Sequence, residues 1–363
     1  MITRREALQV LPMLACAPLV RADLAQQWEH NPGMLRVAFG SCMHQNKPQA
    51  FWEKIADLQP HRFVMLGDGV YPLRESPPHI IEDLQQAYAV AARSRELSAF
   101  RAQVPISAIW DDNDFGGSDI GGSFAHKLAS RKMFLDFWVD SDAERQMRER
   151  PSGIYALWEW GSAERRTQLI VPDLRFSRSE WVAQSIGKRL AGLASGFGPY
   201  GLQGEDTTML GEQQWLWIEA CLRRPARLRI LASSLPFSAS ARGWESWANM
   251  PHERQRLLDL VKQTGAGGII VVSGDSHYGE LSRLDEGPYP LWDLTASGLT
   301  EFWPKPGLNQ HRVGPAFGRT NFGLLQVNWR EPDPEVLLEL RATGGDILIQ
   351  KAIPLSTLQV PQA

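Results

Sequence analysis

Cysteine, excess charge and long apolar runs are all scarce in this chain. Cysteine occurs only as Cys16, Cys42 and Cys221, which excludes a disulfide framework. The formal net charge is −3 and the isoelectric point is near 6.3. Taken whole, the chain therefore offers no electrostatic case for nucleic acid or for an anionic membrane. No run approaches the ~20 apolar residues of a membrane span, and no internal repeat or low-complexity linker is found. Core material, by contrast, is plentiful: 43% hydrophobic residues, with 14 Trp and 14 Phe, exclude global disorder. A chain of this charge that handles an anion needs a local positive centre, and a bound metal would supply one.

The N-terminus reads as an address. In "TRREALQVLPMLACAPLVRA", Thr3-Arg4-Arg5 precedes a modest apolar segment and Val20-Arg21-Ala22 offers small residues for cleavage. Residues 1–22 are thus expected to be a twin-arginine signal, routing a folded protein to the periplasm or beyond through the twin-arginine machinery. Lipid attachment at Cys16 fits less well, because Met13 suits that pattern poorly. With the signal removed, Cys42 and Cys221 remain and could form one disulfide outside the cytoplasm. Cys221, however, shares a helical face with Trp215, Ile218 and Leu222, which marks it as a core residue.

Residues 31–363 repeat one design. "LRVAFGSC" is an apolar run ending at Ser41-Cys42, "HRFVMLGDGVY" carries Asp68 and Tyr71 at its end, and "VPISAIWDDND" carries Asp111, Asp112 and Asn113. "RTQLIVPDLR" ends at Asp173 and Arg175, "LRILASS" at Ser233-Ser234, and "GGIIVVSGDSH" at Asp275 and His277. Helical patterns separate them at Phe51–Leu58, Ile80–Phe100, Lys127–Trp138, Gly211–Leu222 and Pro251–Gln263. Strands alternating with helices argue an α/β domain with mostly parallel strands. Ligands in such sheets bind beyond the carboxyl ends of the strands, where this chain places Cys, Asp, Tyr, Arg and His. The tail, 304–363, reads as a β-meander that completes a sheet, with turns at Glu331–Pro334 and Gly344-Gly345. The glycine-rich stretch 187–206 reads as a long surface loop near the site mouth.

The candidate ligands Asp68, Asp112, Asp275 and His277, with Cys42 and Tyr71, mix hard oxygen donors with imidazole, thiolate and phenolate. Carboxylates alone suit Ca, Mg or Mn; thiolate, phenolate and imidazole favour a transition metal, and phenolate suits ferric iron. The mixture points to more than one metal with a carboxylate between them, an arrangement that serves displacement at phosphorus through a metal-bound hydroxide. Asp111 competes with Asp112 as the ligand. His44, His79, His126 and His252 have no spacing that argues ligation.

These motifs, "FGSC", "GDGVY", "WDDND" and "SGDSH", together with "MLGEQQW", "GWESWANMPHERQRLL" and "LTASGL", resemble the alkaline phosphatase D (PhoD-like) family of the calcineurin-like metallophosphoesterases, from about Val37 to Trp303. The resemblance implies a layered α/β sandwich of two mixed β-sheets flanked by helices. It implies phosphomonoesterase or phosphodiesterase activity on a small-molecule or lipid-derived ester. It further implies Fe(III) held by Cys42, Asp68, Tyr71 and His277, and one or two Ca ions, or other divalent metals, held by Asp68, Asp112 and Asp275. Arg175 matches the family's phosphate-contacting arginine, although an ion pair with Asp173 or Asp119 would also account for it. Two departures stand out. Asn113 occupies the place of a histidine that can act as leaving-group acid, and Ser118 that of an asparagine thought to touch phosphate. Two other classes stay open: an iron or copper redox site, and a catalytically silent metal or phosphate binder.

Overall fold

The computed structural model describes residues 33–73, 79–194, 196–241 and 243–361; the export segment and Cys16 lie outside them. The strands are β1 (Met34–Gly40), β2 (Arg62–Leu66), β3 (Ile106–Ile109), β4 (Ala156–Trp160), β5 (Thr167–Val171), β6 (Leu228–Ser233), β7 (Ile269–Ser273), β8 (Gly279–Leu284), β9 (Leu291–Ala296), β10 (Arg312–Phe317), β11 (Asn321–Asn328), β12 (Glu335–Ala342) and β13 (Ile347–Pro354). The helices are α1 (Phe51–Ala56), α2 (Ile80–Ala91), α3 (Arg95–Arg101), α4 (Asp112–Phe115), α5 (Lys127–Trp138), α6 (Asp142–Arg148), α7 (Ile186–Ala194), α8 (Glu212–Arg223) and α9 (Pro251–Thr264).

The strands form two mixed sheets, in the orders β13-β12-β11-β1-β2-β3 and β10-β8-β9-β7-β6-β5-β4. In the first, β1, β2 and β3 run parallel out to the edge strand β3 and β11 to β13 are antiparallel; in the second, a parallel centre of β5, β6, β7 and β9 has antiparallel margins. The continuous apolar runs of β2, β5, β6 and β7 are buried along their whole length, as strands covered on both faces require. The sheets face each other, β2 against β6 and β9 against β11 and β12, and one hydrophobic cluster fills the space between. This is the layered sandwich with helices outside that the family resemblance implies.

The tail meander is β11 to β13, with turns where expected. Two expectations need correction. The pattern Ile80–Phe100 is two helices, because Ser94 turns extended and its hydroxyl caps Leu97, restarting the helix. The stretch 187–206 is not all loop, since α7 occupies most of its first half. Gly187 and Gly192 fall inside α7, and glycine, unfavourable in a helix interior, is what makes the stretch read as loop. Among the described residues, neither Cys42 nor Cys221 is in a disulfide.

Candidate metal centre

All the parallel strands deliver their carboxyl ends to one place. There an isolated parallel bridge, Ser41 to Ser297, ties the two sheets together. The approach is so close that a side chain on Gly274 would meet the Ser41 hydroxyl at 2.7 Å and the Leu66 carbonyl at 2.8 Å. The chain then turns sharply to aim its donors inward. Cys42, Asp68, Asp119, Asp275 and His277 all adopt left-handed backbone, with φ of 62°, 54°, 59°, 65° and 59°. Glycine is the low-cost residue in that region. Each non-glycine residue there is held at an energetic cost, of the kind that clusters at functional sites.

Three groups of donors result, each with its atoms within 4.8 Å of one another: Cys42–Asp68–His277, Asp68–Asp111–Asp112, and Asp112–Asp119–Glu245. Asp68 belongs to the first two and Asp112 to the last two. The Asp68 Oδ2 atom accepts from the Tyr71 hydroxyl at 2.9 Å and from the Asn113 amide at 3.1 Å, with Cys42 Sγ at 3.7 Å. Asn113 Nδ2 also reaches Asp112 Oδ1 at 3.1 Å. Cys42 Sγ rests against the Ser297 and Ser41 hydroxyls, and the Ser297 hydroxyl accepts the His277 N–H at 2.8 Å. Asp275 lines the same cavity but stands outside the three groups. Ser118 lies exposed on the cavity wall. His44 stacks on Tyr71, ring centres 5.3 Å apart, and so touches a candidate ligand without joining the set.

Arg175 is fully buried. Its guanidinium is taken up by Asp111 at 2.6 Å and, in a fork, by both oxygens of Glu245 at 2.7 and 2.8 Å. Its ion-pair partners are therefore neither Asp173 nor Asp119, and it backs the site wall instead of facing the cavity. Asp173 organises the turn, accepting from Trp110 Nε1 and the backbone N–H groups of Ile154, Arg175 and Phe176. Gln214 of "MLGEQQW" clamps that turn from outside. Glu245 and Asp119 were not singled out as site residues from the sequence. Glu245 sits in "GWESWANM" far from any strand end, and Asp119 follows a helix of a single turn.

The electrostatics describe an anionic cluster short of positive charge. Burial, then neighbouring carboxylates, push Asp68 and Asp275 well above the usual carboxylate range. Burial raises Asp111 to about 7, with Asp112 and Glu245 reinforcing it against the pull of Arg175. Burial raises Asp114 to about 7, and burial beside Glu245 raises Asp119 to about 8. Burial also lifts Cys42 to about 11 and raises Tyr71, while lowering His277 so that its imidazole is neutral, the form that ligates. Glu245 alone falls, to about 2, because Arg175 and Arg178 overcome its burial.

Two buried oxygens of the site, Asn113 Oδ1 and Asp111 Oδ2, have no hydrogen-bond partner among the described residues. An orphaned buried acceptor costs about 1–3 kcal/mol, and a cation would satisfy both. The donor set, with thiolate, phenolate and imidazole at one end and carboxylates at the other, fits two or more metal ions.

The cavity over this cluster measures about 560 Å³, more than a phosphate needs, and its rim includes Trp244, Trp303, Lys305 and Leu308. Comparison with known proteins agrees with the geometry. The chain is similar to a solved structure of PhoD, with a TM-score of 0.62 at 16% identity over 88% of this chain and 72% of that one. It is also similar in fold to GAP50, the anchor in the inner membrane complex of Plasmodium, with a TM-score of 0.50 at 12% identity over 91% of this chain and 90% of that one. No curated protein matches it. The family model of the PhoD-like phosphatases matches residues 37–315, and the chain belongs to that family.

Proposed function

We propose that the chain hydrolyses phosphomonoesters or phosphodiesters at a centre of two or more cations bridged by Asp68. The observation that carries the reading is the sharing of one carboxylate between two donor groups, Cys42–Asp68–His277 and Asp68–Asp111–Asp112. Cys42, Asp68, Tyr71 and His277 would hold Fe(III), and Asp68, Asp112 and Asp275 would hold one or two Ca ions, with Asp111 a further candidate. Bound there, the metals would supply Lewis acidity, neutralising phosphoryl charge and providing a nucleophilic water at neutral pH.

The protein's own part is positional. Asn113 fastens Asp68 to Asp112. Ser118, with Asn113, lines the wall a phosphoryl group would occupy. Arg175 acts from behind, fixing Asp111 and Glu245, and its charge tempers a wall of carboxylates that would otherwise repel an anionic ester. Asn113 cannot supply a proton, so departure of the alcohol depends on how well that alcohol carries negative charge.

Asp68→Asn tests the bridge. It should abolish turnover of an aryl phosphoester and lower metal affinity by at least about 100-fold without unfolding the chain. Metal analysis of the wild type, with the visible charge-transfer band of a tyrosinate–ferric pair, tests the iron assignment. Full metal content and turnover in the Asp68 variant would sink the proposal. We place the enzyme outside the cytoplasm on the strength of Thr3-Arg4-Arg5. Arg4→Lys with Arg5→Lys should leave it in the cytoplasm, and undiminished secretion would point to another route.

A further inference from the structure

The cavity mouth is bordered by two stretches of distinctive composition, with Glu180, Glu205, Asp206 and Glu301 standing just beyond their ends. These are residues 181–203 and 302–320, and neither contains a single Asp or Glu in a chain that has 41. The first stretch is an excursion pinned at its base. The backbone N–H of Gln184 donates to the Pro199 carbonyl at 2.7 Å, that of Gly201 to Val182 at 3.2 Å and that of Gln203 to Asn249 at 2.8 Å. Its far end is α7, followed by Gly196 on the cavity wall. The second stretch begins Phe302-Trp303-Pro304-Lys305-Pro306, stiffened by two prolines and tied to the metal centre by the Trp303 N–H on the His277 carbonyl at 2.7 Å. Trp244, from a third segment, joins the two at the mouth: it donates to the Gly196 carbonyl at 3.1 Å and packs edge-on against Trp303 with ring centres 5.1 Å apart.

Both walls expose large apolar side chains. Ile186 is 74% exposed, Leu190 66% and Leu308 68%, with Phe197, Phe302 and Trp303 partly so. Ile186 and Leu190, one helical turn apart, project from the same side of α7, and Lys188 and Arg189 lie between them in sequence. Lys188, Arg189 and Lys305 form no ion pair with any described residue. A short helix with apolar residues on one side and basic residues beside them is the pattern of a segment that lies in a membrane interface. A protein partner seated here would close the cavity, whereas a lipid layer would deliver substrate into it.

We propose that the acid-free rim formed by α7 and the 302–308 segment docks on an anionic lipid surface, so that the phosphoester hydrolysed is one borne by that surface. The docking rests on the rim alone; what is hydrolysed there rests on the phosphoester reading above. The whole-chain charge of −3 conceals this face because all 41 acidic residues lie elsewhere, five of them in the candidate donor groups of the site.

The test is cosedimentation of the full chain with vesicles of phosphatidylglycerol and, separately, of phosphatidylcholine. Binding to phosphatidylglycerol should exceed binding to phosphatidylcholine by at least about tenfold and weaken with salt. Ile186→Glu with Leu190→Glu should lower it about tenfold or more, and Lys188→Gln with Arg189→Gln should remove the anionic preference. Hydrolysis of a soluble aryl phosphoester should be unchanged in both variants, which also reports that they fold. Equal binding to both vesicles, no binding, or undiminished binding by the variants would overturn the proposal. So would size-exclusion data in which the wild type pairs through this face and ignores vesicles. Vesicle binding without turnover of any phosphoester would uphold the docking face and reject the phosphoester reading instead.

Discussion

Among the single residues of the site, Asn113 decides between two chemistries. As a replacement for a proton-donating histidine it would leave the enzyme without a leaving-group acid. The structure adds a different role, because its amide nitrogen is committed to Asp68 and Asp112 while its Oδ1 is buried without a partner. An orphaned amide oxygen inside a carboxylate cluster is well suited to a hard cation. Asn113→His should therefore weaken metal binding about tenfold and leave the dependence of rate on leaving-group pKa as steep as before. Metal titration beside a series of aryl and alkyl phosphoesters checks both. A flatter dependence at unchanged metal affinity would restore the missing-acid explanation, since general acid catalysis is worth roughly 10²–10⁴-fold for poor leaving groups.

One level up, the site is made by the exits of neighbouring parallel strands, and the exits of β2 and β3 are in direct contact. Gly67 has φ of 95°, and a Cβ there would lie 2.4 Å from Asp111 Cβ and 2.8 Å from its backbone nitrogen. Neither of those atoms can swing away, so Gly67→Ala should cost about 3 kcal/mol and displace Asp68 and Asp111 together. Gly344, in the β12–β13 turn with nothing within 4 Å, is the control and should tolerate alanine within about 0.5 kcal/mol. Denaturant midpoints and metal content measure both; native stability and full metal content in the Gly67→Ala variant would contradict the packing argument. Strand exits are also where the sequence was most legible. A buried apolar run broken by Gly-Asp or Ser-Gly-Asp announces a turn bearing a carboxylate, so Asp68, Asp112, Asp275 and His277 could be named without coordinates. The donors Asp119 and Glu245 could not, because they are placed by long-range hydrogen bonds, from Arg178 and Tyr200 to Asp119 and from Arg175 to Glu245. The β8–β9 hairpin escaped for a related reason: its strands are buried almost throughout, leaving little alternation to read.

For the molecule taken entire, the metal centre couples stability to pH. Asp111 and Asp114 are raised to about 7, Asp119 to about 8, and Asp68 and Asp275 are raised as well, each chiefly by burial. In the unfolded chain these groups titrate near ~3.9. Between the two values the native state binds more protons than the unfolded state, so stability falls as pH rises. The loss begins near the unfolded value and, for the three groups at about 7 to 8, is complete once pH has passed them. Glu245, lowered to about 2, works in the opposite sense but only near and below its unfolded value, outside the window that matters here. On the reading proposed above, cations would replace the protons: a metal ion held by the ionised carboxylates would stabilise the native state by mass action. The chelator-treated protein should therefore melt at a lower temperature at about pH 8 than at about pH 5.5, and adding metal should raise the melting temperature more at the higher pH. Asp293, raised to about 6 by burial on β9 and bonded to Ser273 and to the Phe237 and Ser238 amides, contributes part of the slope without being a ligand. Asp293→Asn should thus reduce the pH slope of the metal-free chain but leave the gain on adding metal intact. A metal-free chain that grows more stable across that pH interval, or one that gains more from metal at the lower pH, would mean that the buried carboxylates are already neutralised within the protein and that the cluster does not require cations.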